Sequence, residues 1–203
     1  MPNWCSNSIA FYQEDGGNTM IEAFYMDIQK YTNVKNNETG EISNWVGHWL
    51  QSSRVNIDNM YTRGFFSNCE LNVNHVRIDM ETAWTPLPEV WDLMAGKYEL
   101  SYVYIAEEDG CAVYVNTDST GRFFTTRYMM QSFEIEYLEL AADTMAEYGE
   151  RLREFNEEPL YFDSWEEVLR EFEIFEFNAL NLEELNQRLE MFNIMVHEYA
   201  YEY

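Results

Sequence analysis

Trp4 to Tyr12, in which apolar Trp4-Cys5 and Ile9-Ala10-Phe11-Tyr12 flank polar Ser6-Asn7-Ser8, reads as a β-strand. Asp15-Gly16-Gly17-Asn18 supplies a turn. Thr19 with Glu22 has the spacing of a capping box and opens a helix carrying Ile21, Phe24, Tyr25 and Ile28. Residues 31–43 are polar, contain Asn36, Asn37 and Gly40, and read as a loop before a short aromatic helix over residues 44–50. Leu71, Val73, Val76, Ile78 and Met80 mark one long strand whose alternation slips at Asn74-His75, where a bulge is expected. Thr85-Pro86-Leu87-Pro88 starts a second helix that runs to about Ala95 and closes at Gly96. Residues 98–106, 111–116 and 122–128 follow as an antiparallel meander, with turns at residues 107–110 and 117–121.

A further strand, or the start of a helix, occupies residues 133–140, and beyond it the pattern is helical throughout. Met145, Tyr148, Leu152 and Phe155 form one apolar stripe, interrupted at Glu158-Pro159. Ser164 with Glu167 caps a helix whose inner face is Trp165, Val168, Leu169 and Phe172. Asn181 with Glu184 caps a last helix bearing Leu182, Leu185, Leu189, Phe192 and Val196. Three amphipathic helices are therefore expected after residue 140.

Composition decides where the charge must lie. The chain is 46% hydrophobic and contains 15 Tyr, 13 Phe and 6 Trp, so its acid belongs on a folded surface and not on a disordered tail. The net charge of -25 repels nucleic acid and anionic membranes. It is unevenly spread: residues 131–203 hold 20 Asp or Glu against 4 Arg, a net of -16. Residues 1–130 hold 17 acids against 8 bases, a net of -9. No apolar run reaches the roughly 18 residues needed to span a bilayer, and the N-terminus lacks a signal-peptide pattern, so a cytoplasmic location in a bacterial host cell is expected. Cys5, Cys69 and Cys111 are unclustered and read as reduced, buried structural thiols.

Met1-Pro2-Asn3-Trp4-Cys5-Ser6-Asn7, together with Glu81-Thr82-Ala83-Trp84-Thr85-Pro86-Leu87-Pro88, resembles the YubB ferredoxin-like family of plasmid and phage proteins. Members of that family open with such a heptad and carry a TAWSPP-like segment before their second helix. The resemblance covers roughly residues 1–116. Asn44-Trp45-Val46-Gly47-His48-Trp49 echoes the family's central NWGTKW-like segment, the stretch from there to residue 76 is longer than usual, and the acidic helices have no counterpart. The resemblance implies a βαβ-type ferredoxin-like fold and a mobile-element origin, with no activity attached. The fold class expected for the whole chain is α+β. It comprises a ferredoxin-like antiparallel sheet with two helices over residues 1–140 and an acidic helical extension over residues 141–203.

Catalytic and ligand-binding patterns are weak. Phosphate-binding glycine loops, a GxSxG elbow and an HExxH helix are absent, and His48, His75 and His197 are far apart in sequence. Residues 116–121 imitate the first half of a calcium loop, but Arg127 stands where the bidentate glutamate belongs, so a hairpin turn is expected instead. Glu107, Glu108 and Asp109 are separated from Asp118 by a strand of about 20 Å, too far to form one site. Trp84 reads as a core anchor at a strand-to-helix corner, with ligand stacking as the alternative. These features predict a binding protein without cofactor, metal or catalytic residues.

The acidic residues themselves are the candidate site. Glu147, Glu150, Glu154, Glu157 and Glu158 recur every three or four residues and share one helix side. Asp163, Glu166, Glu167, Glu171, Glu173, Glu176, Glu183 and Glu184 extend the set, with only Arg151, Arg153, Arg170 and Arg188 to offset it. One charge each roughly 5 Å along such a stripe approaches the phosphate spacing of about 3.4 Å per strand. The expectation is a mimic of nucleic acid, of the anti-CRISPR or anti-restriction type. Its partner would be a basic nucleic-acid-binding host protein such as a Cas effector or restriction-modification enzyme, with Tyr148, Tyr161, Tyr199 and Tyr201 as possible anchors. The alternative is a ferredoxin-like module that holds a protein or small ligand without mimicry.

Overall fold

The computed structural model describes residues 3–32, 34–35, 42–54, 56–132, 159–172 and 179–202. The chain divides into two compact units, residues 1–124 with 201–203, and residues 125–200. In the first, β1 (Trp4–Tyr12) leads into α1 (Thr19–Ile28). The short strands β2 (Val34–Lys35) and β3 (Ile42–Ser43) pair with each other before α2 (Gly47–Ser52). There follow β4 (Gly64–Leu71), β5 (His75–Ala83), α3 (Pro88–Lys97), β6 (Ser101–Glu108) and β7 (Val113–Asn116). The protein is thus α+β, with a five-stranded sheet in the order β4-β5-β1-β6-β7 and every neighbouring pair antiparallel.

Alternation along β1 turns Cys5, Ile9 and Phe11 to one face, where they join Ile21, Phe24 and Ile28 of α1 and Val90, Trp91 and Met94 of α3 in one core. Phe11 and Phe24 meet with ring centroids 4.7 Å apart, and both are fully buried. Burying each such ring contributes on the order of 1.5–3 kcal/mol. Asp27 ties the three helices together. Its carboxylate accepts from Trp49 Nε1 at 3.2 Å, Lys97 Nζ at 2.8 Å, the Tyr98 hydroxyl at 2.5 Å and Lys30 Nζ at 3.3 Å. Burial pushes this carboxyl up, but the bonds from Lys97, Tyr98 and Lys30 outweigh burial and hold it at about 2.

Four local expectations for this unit are corrected. The Thr19–Glu22 capping box does not form: Asn18 is the N-cap without a bond from its own side chain, Gln13 Oε1 accepts the Met20 amide at 3.1 Å, and Asn18 O accepts the Glu22 amide at 2.9 Å. The slip at Asn74-His75 is a chain reversal and not a bulge. Asn72 N donates to His75 O at 2.9 Å, Val73 is 89% exposed, and β4 and β5 are two strands of a hairpin whose irregularity lies between Phe66 and Asn68. The helix α3 runs past Gly96 to Lys97, and Glu99 (φ 52°) takes the left-handed position beyond it. The third meander strand is not in this sheet, because the chain after β7 folds into a loop and then leaves for the second unit.

The second unit contains β8 (Tyr128–Ser132), β9 (Leu160–Phe162), α4 (Trp165–Glu171), α5 (Leu182–Leu189) and β10 (Ile194–Glu198). The strands form an antiparallel sheet in the order β10-β8-β9. Met130, Phe162, Val168, Phe172, Leu185, Leu189, Ile194 and Val196 make its core. Both predicted caps are present: Ser164 Oγ accepts from Glu167 N at 3.3 Å, and Asn181 Oδ1 accepts from Glu184 N at 2.9 Å. The last helix, however, does not reach Val196. A 3₁₀ turn (Glu190–Phe192) ends at Asn193 in the left-handed conformation (φ 57°), and the chain returns as β10. Asn186 holds that return by bonding both the Val196 carbonyl (2.8 Å) and its amide (2.9 Å). Residues 133–140 and the helix expected over residues 145–158 lie outside the described residues. Among the described residues no helix is long and apolar enough to cross a membrane.

Candidate functional site

Strand register brings together the two segments that carry the family resemblance. Trp4, Cys5 and Ser6 of β1 lie opposite Ala83, Thr82 and Glu81 of β5, and Trp84 N donates to Asn3 O at 3.0 Å. Beneath this corner, the Asn7 side chain is buried between the two strands. Its Nδ2 donates to Cys5 O (2.7 Å), Thr82 Oγ1 (2.8 Å) and Met80 O (3.3 Å), while Thr82 Oγ1 donates onward to Thr85 O at 2.7 Å. The Asn-Thr pair therefore fixes both segments in one geometry. Burial pushes the neighbouring Cys5 thiol up to about 12, so it is not a nucleophile at neutral pH.

The surface above this corner is aromatic. Trp4 is 43% exposed and meets Phe65 edge-on, with ring centroids 5.7 Å apart at 64°. The Arg63 guanidinium lies 5.7 Å from the Trp4 centroid. Glu81 is half-buried in the same notch of about 330 Å³, and desolvation pushes its carboxyl above the ordinary glutamate range. Farther along the same sheet face, Phe123 packs on Tyr12 and His75 (4.9 Å each), so the loop after β7 lies over the opposite end of β1.

Trp84 corrects the core-anchor reading. It is 42% exposed and sits in the left-handed region (φ 72°), which a bulky L-residue adopts at a penalty of about 1–2 kcal/mol. Trp84→Gly is therefore expected to be more stable than Trp84→Ala by about 1 kcal/mol, the reverse of the usual order, because both delete the indole and only glycine relieves the backbone. Urea denaturation of the two variants measures the difference. Equal stabilities would show that no strain is stored there.

Two buried acids of the first unit, Asp118 and Glu108, hold loops. Asp118 Oδ2 accepts from the Phe123 and Phe124 amides (2.6 and 3.0 Å), and Oδ1 accepts from Thr120 N (3.2 Å) and Thr120 Oγ1 (2.7 Å). Burial raises its pKa, but these donors prevail and hold it at about 2. The calcium-like segment is thus not a hairpin turn but a loop wound around one buried carboxylate. Glu108 acts similarly, accepting from the Gly110 and Cys111 amides at 2.9 and 2.5 Å. Cys69 is buried, whereas Cys111 is exposed, contrary to expectation. Among the described residues no three His, Cys, Asp or Glu side chains come together as a metal-ligand set.

Of the acidic residues singled out in the C-terminal third, Asp163, Glu166 and Glu183 are exposed in the first turns of α4 and α5 or just before them. Glu167 Oε2 accepts from Asp163 N at 2.9 Å. Glu184 accepts from Leu180 N at 2.9 Å and pairs with Arg188 at 2.6 Å, so both glutamates are engaged in capping. Glu171 is half-buried at the end of α4. Glu147, Glu150, Glu154, Glu157, Glu158, Glu173 and Glu176 lie outside the described residues. Among the tyrosines expected as anchors, Tyr161 and Tyr201 are exposed (51% and 52%), whereas Tyr199 is buried at 1% and is no anchor. Tyr148 lies outside the described residues. Sequence reasoning passed over Phe65 and Arg63, whose only local signal is the Arg63-Gly64-Phe65-Phe66 run in a stretch that reads as surplus length. Compared with protein-family models, curated proteins and solved structures, the chain matches none.

Proposed function

We propose that the protein is a mobile-element-encoded inhibitor of a host nucleic-acid-binding defence protein, of the anti-CRISPR or anti-restriction type, that presents acid in place of a phosphate backbone. The observation that carries this reading is the segregation of charge into its own compact unit. Residues 125–200 hold 19 Asp or Glu against 5 Arg, and Asp163, Glu166, Glu183, Glu190 and Glu198 are all exposed. Such repulsion weakens the fold that bears it and gains a use when a basic surface neutralises it. The mobile-element origin rests on the resemblance of the N-terminal heptad and the residue 81–88 segment. The strand order β4-β5-β1-β6, with α1 and α3 as the connections, supports reading the first unit as ferredoxin-like with β7 added at its edge.

The test is recovery of a partner from a bacterial lysate by the full chain at low and high salt. A Cas effector or restriction-modification enzyme is expected to be held only at low salt. Combined reversal of Glu150, Glu154 and Glu157 to lysine is expected to weaken that binding about a hundredfold and to flatten its salt dependence. Binding that survives the triple reversal unchanged would sink the proposal.

A further inference from the structure

We infer that Trp4, Phe65 and Glu81 form a binding site for an alkylammonium cation, of the quaternary or methylated type. The inference is independent of the acidic second unit. Three observations on one sheet face converge on it. First, the two rings meet at 64° with centroids 5.7 Å apart, so two π-systems of different orientation wall the same notch of about 330 Å³. A cation within about 6 Å of such ring faces is attracted by their quadrupoles. Second, register places Glu81 directly between Phe65 on β4 and Ser6 on β1, so an acidic residue lines the notch. Among the described residues no ion pair involves Glu81, whereas Asp27, Asp79 and Glu184 each have a basic partner. Its burial without compensation raises its pKa, as expected of a carboxylate that lacks its counter-ion. Third, the chain itself already places a cation against this aromatic wall, since the Arg63 guanidinium lies 5.7 Å from the Trp4 centroid.

The ligand's charge follows from the nearby Glu81 and the ring faces, and its alkyl character follows from the accessible walls, which are almost wholly apolar. Methylated ammonium meets both requirements because it spreads its charge over carbon and sheds water more readily than a primary ammonium does. Arg63 is exposed and carries the same charge as the ligand, so it acts as an internal competitor.

The experiment titrates the full-length protein with tetramethylammonium and, separately, with its neutral counterpart of similar size, tert-butanol. Binding is followed by the indole N–H resonances, with Trp4 assigned through Trp4→Phe. Saturable binding of tetramethylammonium, at least tenfold tighter than tert-butanol, is expected at the Trp4 resonance. Glu81→Gln is expected to weaken it about fivefold and Phe65→Ala, which leaves the Trp4 reporter in place, about tenfold. Arg63→Met is expected to strengthen it two- to threefold, a gain that a merely structural role for Trp4 would not produce. Choline and a trimethyllysine-containing peptide then distinguish a free ligand from a protein side chain, and tighter binding of either keeps the proposal. Equal response to tert-butanol, no saturation with either probe, or an unchanged affinity in folded Glu81→Gln would overturn it.

Discussion

Asn7→Asp is expected to destabilise the first unit by about 4 kcal/mol at neutral pH, a larger effect than any other single conservative change there. The substitution keeps the shape of the side chain and inverts its chemistry. Nδ2 of Asn7 donates to Cys5 O, Met80 O and Thr82 Oγ1, and the side chain is 2% exposed. A carboxylate oxygen in that place would face two carbonyls and a hydroxyl already donating to Thr85 O, so the buried charge would keep only the weak Cys5 thiol donor, 3.7 Å from its other oxygen. Protonation restores a donor, which raises the pKa of the new group in the folded state. A group whose folded-state pKa is raised contributes stability below its unfolded pKa and loses it as pH rises through the folded value. The deficit relative to the natural chain is therefore expected to be small near pH 4 and full near pH 8. Urea denaturation followed by tryptophan fluorescence reads it, since five of the six tryptophans lie in residues 1–124. A deficit of the same size at both pH values would show that packing, not hydrogen-bond polarity, is what Asn7 supplies.

Asp118→Asn is expected to lower stability by about 2–3 kcal/mol at pH 7. Both carboxylate oxygens of Asp118 accept, two bonds each, from Thr120, Phe123 and Phe124. An amide supplies one acceptor and turns two donors toward the remaining N–H groups, so one side of the loop loses its bonds and is repelled. The natural side chain titrates at about 2 in the fold against 3.8 ordinarily. Its contribution is full above the ordinary value and is lost as pH falls through 3.8 toward 2. The stability difference between the two proteins should shrink across that window. Asp27 titrates there in both, so the difference, and not either curve alone, carries the information. A difference that stays constant down to pH 2 would sink the assignment.

What the chain's pattern discloses is what is decided locally. The Ser164 and Asn181 caps are fixed by residues three apart, and β1 lies within one unbroken stretch of nine residues. The reversal at residues 72–74 and the return strand after Asn193 are not disclosed in this way. A slip in alternation looks the same for a bulge as for a turn, and Leu189, Phe192 and Val196 fit helical spacing equally well as the end of a helix and the start of a strand. Tertiary pairing decides both. Asn186 illustrates the point, because its side chain completes the backbone of Val196 only once β10 lies against α5. The cationic notch is similarly hidden. Trp4, Phe65 and Glu81 are 61 and 16 residues apart in sequence and become neighbours only through the registers of two strand pairs. Trp84 carries the converse lesson: its size argues for burial, yet the turn it occupies holds it outward.

The central position of β1 governs the order in which the protein can assemble. Made before β4 to β7, β1 pairs only with β5 and β6, so Trp4 waits for Ala83 and Ser6 for Glu107. Until those residues are made, β1 has both edges open and only part of its apolar face can be covered, by α1. The closures it needs are long, and long closures slow folding. The hairpin of β4 and β5, by contrast, forms from neighbouring residues and offers a ready template beside which the N-terminal strand can dock. Assembly of the sheet is thus expected to begin in its middle sequence and to end with its beginning. The corner that joins the N-terminal heptad to residues 81–88 would accordingly be among the last parts of the unit to become ordered.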